Sequence, residues 1–349
     1  MAEKPLAVIA GGRGVIGHSL AEYLASTGRW DVVSLSRNAG EASPTIRQVQ
    51  VDLMDARSAS AALGQIGRPT HLFFAAYQDR SDASELADLH LAMLQNFVRA
   101  GAAAGTLQRV VLYEGAKYYG VHLGKFKTPA VESDPRHLPP NFYYAMEDWL
   151  RAESAGKKWA PVVLRPDVVC GSVVGNGFNI VMLIAVYAAI SRALGVPLRF
   201  PGSSECYSAL AQVTDATHLA HASEWAALSA PAGEAYNVTN GDVFRWEQVW
   251  PLFADFFKMP TAAPQMIPIA QTMKDKAPVW EKIVKDHRLA STPYEGVALW
   301  HAGDFVLRCG YDVVSSTTKI RQAGFGEIVD SHEMFRRMLG DFRGRRILP

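Results

Sequence analysis

The stretch that most limits what this chain can fold into is Gly11-Gly12-Arg13-Gly14-Val15-Ile16-Gly17. It follows an unbroken apolar run, Leu6 to Ala10, and precedes Leu20, Tyr23 and Leu24 at helical spacing, up to Gly28. A short continuous apolar run suits a strand buried on both faces. Gly11, Gly14 and Gly17 then spell G-x-x-G-x-x-G between a strand and a helix. Glycines placed there permit a tight turn, close approach of backbone to a pyrophosphate, and close packing of helix on strand. The helix start supplies N–H groups and the positive end of its dipole. The plain alternative is a glycine-rich turn with no ligand.

The segments that follow fit the same scheme. Asp31 to Leu35 reads as the second strand, ending in Ser36-Arg37. A carboxylate at that end would accept hydrogen bonds from ribose hydroxyls and favour NAD. Here Ser36 and Arg37 can instead hold a 2′-phosphate, with Arg13 as a second cation, so the expected cofactor is NADP(H). The third strand, Ile46 to Val51, ends in Asp52-Leu53, where a carboxylate can meet the adenine amino group. A helix over Ala56 to Leu63 and a strand over His71 to Ala76 come next, and small Ala75 and Ala76 let a cofactor lie across the strand ends. The long helix Ser84 to Ala104 carries Leu86, Leu89, Met93, Phe97 and Val98 on one face, and Gln108 to Leu112 is the fifth strand. The alternation is β-α-β-α-β-α-β-α-β, its helix between the second and third strands the faintest. It predicts an α/β fold with a doubly wound parallel sheet and a ligand at the strand C-termini.

Composition narrows the partners. The 349 residues carry a formal net charge of +1 with both signs interspersed, so neither nucleic acid nor an acidic membrane surface is expected. Cys170, Cys206 and Cys309 form no C-x-x-C, and no H-x-H or H-E-x-x-H occurs, which argues against a disulfide framework or a metal site. This fits a reducing cytoplasm. The N-terminal apolar run is too short for a signal peptide, and the apolar stretch Ile180 to Ile190 is about half a membrane span.

Chemistry concentrates between Leu112 and Asp148. Glu114-Gly115-Ala116-Lys117-Tyr118-Tyr119-Gly120-Val121-His122 follows the fifth strand, and Asn141-Phe142-Tyr143-Tyr144-Ala145-Met146-Glu147-Asp148 opens a helix. With the glycine turn, these segments resemble the extended short-chain dehydrogenase/reductase superfamily. The ordinary Tyr-x-x-x-Lys is missing, since Glu147 and Asp148 stand four places after the two tyrosines. The pattern is similar to the atypical branch of progesterone 5β-reductases and iridoid synthases, with signatures T-G-x-K-H-Y-x-G-P and N-F-Y-Y-x-x-E-D. The second matches in full. The first departs at Glu114, Tyr118, Val121 and His122. Arg165-Pro166 followed by Gly171 is similar to the branch's R-P-x-x-x-x-G and is expected at the cofactor.

The resemblance implies Lys117 as the catalytic ammonium and Tyr143 as the phenol, with Tyr144 the alternative. It also implies a Rossmann sheet with a smaller interleaved C-terminal substrate domain. Residues 1–170 would bind NADP, segments near 205–245 would complete the sheet, and 171–349 would mostly bind substrate. The implied reaction is NADPH-dependent reduction of the C=C bond of an enone. A phenol and an ammonium aimed at the carbonyl oxygen would stabilise the enolate, and a nearby lysine would lower the tyrosine pKa. The same pair would serve a ketone or aldehyde reductase. A sugar-nucleotide epimerase lacks its helix lysine here, and a non-catalytic dinucleotide sensor would need only the glycine turn. Helix-dipole interaction accounts for Glu147 and Asp148 without catalysis.

Further on, Val162 to Leu164 is expected as the sixth strand, and Ile180 to Arg192 as a buried helix or a contact between two copies in a homodimer. Leu198 to Pro201 and Gln212-Val213 read as short strands, Asp215 to Ala227 as a helix, Tyr236 to Val238 as a strand and Trp246 to Phe257 as a helix. Met259 to Tyr294, with Met266, Met273 and Trp280, either lines a substrate cleft or packs peripherally. Phe305 to Val313 is loop or strand, and Ser316 to Ala323 and Ser331 to Leu339 are terminal helices.

Overall fold

A computed structural model of the chain describes residues 4–38, 40, 42–174, 179–290 and 293–349. Six strands come in the expected order: β1 (Leu6–Ala10), β2 (Asp31–Ser36), β3 (Ile46–Gln50), β4 (His71–Phe74), β5 (Arg109–Tyr113) and β6 (Ala160–Pro166). With the later strand Ala235–Val238 they form, among the described residues, one seven-stranded sheet. Its order is 3-2-1-4-5-6 followed by Ala235–Val238, and every pairing is parallel. The order reverses between β1 and β4, and a sheet of this kind binds ligands in the crevice at that point.

Both faces of the sheet are covered, as its nearly all-apolar strands require. Helices α2 (Ala56–Ile66), α3 (Ala83–Ala102) and α4 (Phe142–Ser154) close one face through Leu63, Leu94, Phe97 and Leu150. On the other, α1 (Val15–Ser26) packs against the helix Ala216–Leu228, with Leu20, Leu24, Leu219 and Ala226 buried between them and the sheet. Asp82 caps α3 by accepting from the Ser84 and Glu85 N–H groups, and Asp215 caps Ala216–Leu228 through Thr217 and His218. Between β2 and β3 the described residues form no helix, which answers the faintest of the expected elements.

The C-terminal half has its own core. Helix α5 (Ile180–Ala193) is buried from Ile180 through Ser191. The helices Trp246–Phe257, Ala277–His287 and Ser331–Gly344 surround it with Trp250, Phe253, Trp280, Phe335 and Phe342. A helix apolar on every side is thus covered within the chain.

Two expectations fail here. Gln212-Val213 is not a strand; Leu210–Ala211 and Thr214–Asp215 flank it. The Gln212 amide instead donates to Asp242 O and accepts from Ser315 N–H, bridging loops. Phe305 and Val306 end a helix, Trp300–Val306, where loop or strand was expected. The predicted loop after β6 includes residues 175–178, outside those described. No helix among the described residues is long and apolar enough to cross a membrane.

Candidate active site

The glycine turn lays bare backbone at the crevice. Gly11 has a φ of +83°, and a Cβ there would stand 2.5 Å from the Ala75 carbonyl oxygen. A Cβ on Gly12 would stand 1.9 Å from Ser34 Oγ, and on Gly17 2.4 Å from Gly11 O. Gly17 therefore serves helix-on-strand packing and does not itself line the crevice. Gly14 precedes α1 without a side-chain cap, so the first N–H groups of the helix are open to an anion.

A cleft of about 1950 Å³ runs from this turn along the strand ends. Gly11, Arg13, Gly14, Val15, Ile16, Ser36, Arg37, Asp52, Leu53, Ala75, Ala76, Lys117, Tyr143 and Pro166 all line it. Its size and bare floor fit a dinucleotide. At the β2 end Arg37 donates to Gln78 Oε1 at 3.0 Å and Ser36 Oγ to Asn38 O at 2.6 Å. Asp52 Oδ1 accepts from Met54 N–H.

At the far end of the cleft β5 delivers Glu114 and Gly115, then one 3₁₀ turn, Ala116–Tyr119, carrying Lys117. Asn141 joins this turn to α4. Its Oδ1 accepts from Tyr143 N–H at 3.0 Å, capping the helix, and its Nδ2 donates to Lys117 O at 3.0 Å. The two halves of the motif thus share one side chain. Tyr143 leans over Gly115, where an added Cβ would be 3.2 Å from its hydroxyl. Neither the Tyr143 hydroxyl nor the Lys117 ammonium has a hydrogen-bond partner among the described residues. Tyr144 points elsewhere: its hydroxyl donates to Tyr118 O at 2.6 Å and accepts from His137 N–H at 3.0 Å.

The expected lysine effect on the phenol is overridden. Burial first, then the charges of Glu114, Tyr77 and Asp167, hold Tyr143 well above the usual phenol range. Burial likewise draws the Lys117 ammonium below its usual value, with Asp79 opposing.

Arg165 is not at the cofactor cleft, contrary to expectation. Its side chain is buried, donating from Nε to Glu114 Oε2 at 2.7 Å and from Nη2 to Glu147 Oε2 at 3.2 Å. Its guanidinium lies 3.4 Å from the Tyr118 ring centroid. Glu147 also binds Arg136 and Arg151, and Asp148 binds Arg136. These carboxylates answer arginines and not a helix dipole. A carboxylate as buried as Glu147 requires such partners; Arg151 comes from the same helix four residues on, and Arg136 and Arg165 from elsewhere in the chain.

Residues 46–349 match the family described as PRISE-like Rossmann-fold domain. The chain belongs to that family. It is 32% identical to an (S)-8-oxocitronellyl enol synthase of Camptotheca acuminata, over 99% of this chain and 93% of the relative. It is 31% identical to a 3-oxo-Δ4,5-steroid 5β-reductase of Arabidopsis thaliana over the same shares, 99% and 93%. Among solved structures, a UDP-glucose 4-epimerase of Thermotoga maritima superposes with a TM-score of 0.69 at 14% identity, covering 97% of this chain and 99% of that one. RMD of Pseudomonas aeruginosa, complexed with NADPH, does so at 0.66 and 16%, covering 97% and 99%. At those identities the likeness is one of fold.

Two of the departures from the branch signature meet at one side chain. Glu114 and Tyr118 are both partners of Arg165, one by ion pair and one by its ring. Sequence reasoning missed Asn141 as the tie, and Tyr77, Asp79 and His90 in the cleft wall. It also missed Asp167, whose Oδ2 is buried without a hydrogen-bond partner. The following Val168 takes a φ of +30°, strained for a β-branched residue. The opposite wall is Leu299, His301, Ala302, Phe305 and Val306. Met273 and Trp280 are buried in the C-terminal core and Met266 is exposed, so the Met-rich stretch is not this wall.

Proposed function

We propose that this protein is a nicotinamide-dinucleotide-dependent oxidoreductase, preferring NADP(H), that reduces the C=C bond of a small α,β-unsaturated carbonyl compound. The observation that carries the reading is the pairing of Lys117 and Tyr143. Both line one cleft, both have unengaged polar atoms, and Asn141 ties them together. Residues 1–170 with the strand Ala235–Val238 would hold the cofactor, and residues 171–349 would mostly shape the substrate side. The reduced nicotinamide ring would supply hydride to the β-carbon.

This chain's own residues do the rest. The glycine turn and the α1 N-terminus bind phosphate. Arg37, Ser36 and Arg13 receive a 2′-phosphate, and Asp52 accepts from an adenine amino group. Lys117 Nζ and Tyr143 Oη donate to the carbonyl oxygen as negative charge gathers there. A phenol held above its usual range keeps its proton while donating, which suits an enolate, and the α-carbon of that enolate then takes its proton from solvent water. The enzymes named for Camptotheca and Arabidopsis support the reading.

The test is NADPH consumption by the purified protein with cyclic and acyclic enones, with the product identified by NMR. A saturated carbonyl product supports the proposal. An allylic alcohol would replace it with a carbonyl reductase, and tight NADPH binding without turnover would leave a dinucleotide sensor.

A further inference from the structure

Two carboxyl oxygens of the cleft wall are buried with no hydrogen-bond partner among the described residues, Glu114 Oε1 and Asp167 Oδ2. Glu114 is answered through its other oxygen by Arg165 at 2.7 Å. Asp167 is not: no cation among the described residues pairs with it. A buried oxygen left without a partner is unfavourable, so one kept on a cleft wall calls for an occupant, either water or a ligand.

Local structure fixes where that oxygen stands. Asp167 follows Pro166 at the end of β6. Buried Thr214 holds its backbone: Asp167 N–H donates to Thr214 Oγ1 at 3.1 Å, and the Thr214 hydroxyl donates to Asp167 O at 2.7 Å. Asp167 Oδ1 accepts from Val168 N–H at 3.0 Å, within the turn that carries the strained Val168 backbone. Oδ1 is thus engaged locally, and Oδ2 is left over. A Cβ on Gly115 would be 3.2 Å from Pro166 O and 3.2 Å from the Tyr143 hydroxyl. The carbonyl just before Asp167 and the phenol therefore meet over one glycine. The wall facing the C-terminal half is apolar, with Val121, Ile180, Leu183, Leu299 and Phe305. Of the polar groups nearby, Asp79 accepts from the Tyr77 hydroxyl, and His90 is engaged with Leu86 O and Gln78 N–H.

We propose that Asp167 determines specificity and that the substrate is a hydroxylated enone, whose hydroxyl, set apart from the carbonyl received by Lys117 and Tyr143, binds Asp167 Oδ2. The inference rests on the enone-reductase reading and names the substrate class for that site. A hydroxyl both donates and accepts. It therefore satisfies Oδ2 whether Asp167 is a carboxylate or a carboxylic acid. That matters because burial pushes Asp167 up to about 7, so both forms are present near neutral pH. An ether or keto oxygen satisfies the acid alone. A site built to bond a hydroxyl rejects the analogue that lacks it, because its own buried polar atom is then left unpaired.

The experiment uses the full chain with NADPH near neutral pH. It compares cyclohexenone with derivatives bearing a single hydroxyl on each saturated ring carbon or on a short alkyl arm. At least one hydroxylated member is expected to exceed the parent in kcat/KM by about tenfold or more, and its methyl ether to lose most of that gain. In Asp167→Ala the ratio between hydroxylated member and parent falls to about one. In Asp167→Asn, whose amide also donates and accepts, most of the ratio is retained. Should Asp167→Ala fail to fold, the wild-type comparison of alcohol, ether and parent decides. Reduction of the parent and of every hydroxylated member with equal kcat/KM overturns the inference, assigns Oδ2 to a bound water and leaves the reductase reading standing. A hydroxyl preference undiminished in Asp167→Ala overturns it as well. If no enone is reduced, the reductase reading falls, and calorimetric titration of the same compounds into NADP-loaded protein tests Asp167 by itself. Tighter binding of a hydroxylated member, lost in Asp167→Ala, upholds its role, and equal or absent binding overturns it.

Discussion

At the residue scale the site depends on a few polar atoms left without partners. Replacing Tyr143 by Phe removes one of the two donors proposed for the developing oxyanion. The expected result is a fall in kcat of about a hundredfold or more, with NADPH affinity by fluorescence titration unchanged. Loss of NADPH binding in that variant would return Tyr143 to a packing role. Arg37 lines the other end of the cleft, where a 2′-phosphate is proposed to sit. Arg37→Ala should raise KM for NADPH about tenfold, equivalent to roughly 1.4 kcal/mol, and leave KM for NADH where it was. Equal effects on both cofactors would mean that Arg37 reads no 2′-phosphate.

At the scale of elements, Asn141 links a helix start to a strand-end turn, and its two functions can be separated. Asn141→Ala should cost about 1 kcal/mol of stability through the lost cap and also lower kcat. Asn141→Asp keeps the acceptor for Tyr143 N–H but cannot donate to Lys117 O. It should therefore retain stability in urea unfolding and still lose kcat. If the Asp variant is fully active, the tie to Lys117 has no role. The same scale shows what was legible in advance. The strands and helices of the sheet half carry long, strongly periodic or continuous apolar patterns, and their ends fell within a few residues of expectation. Gln212-Val213 reads as a short strand, yet the Gln212 side chain is committed to Asp242 and Ser315, on two loops distant in sequence. Arg165 looked like a cofactor ligand because of its motif, and nothing local announced that Glu114 and Glu147 would claim it. Asp167 was unreadable for the opposite reason: an atom that lacks a partner leaves no pattern.

For the whole molecule, buried titratable groups set how stability varies with pH. Burial pushes Asp167 up to about 7, so between its unfolded value near 4 and pH 7 the native state binds the extra proton. Stability falls as pH rises through that window. His71 works the other way: burial and then Arg109 push it down to about 4. The unfolded state binds the extra proton between pH 4 and 6.5, and stability falls as pH drops through that range. The two slopes oppose each other. Asp167→Asn should therefore make stability rise more steeply with pH between about 4 and 7, by about 1.4 kcal/mol per pH unit, in urea titrations at half-unit intervals. An unaltered slope would mean that Asp167 ionises normally. The covering of α1 by Ala216–Leu228 has a consequence of another kind. The first helix leaves the ribosome at Ser26, but its cover begins at Ala216 and the last strand of the sheet ends at Val238. At roughly 5–20 residues per second, the apolar side of α1 waits on the order of ten seconds or more during synthesis without the helix that completes its cover. A newborn copy is then most vulnerable to its neighbours on the same messenger, and chaperone demand should track the interval between those two helices more closely than total length.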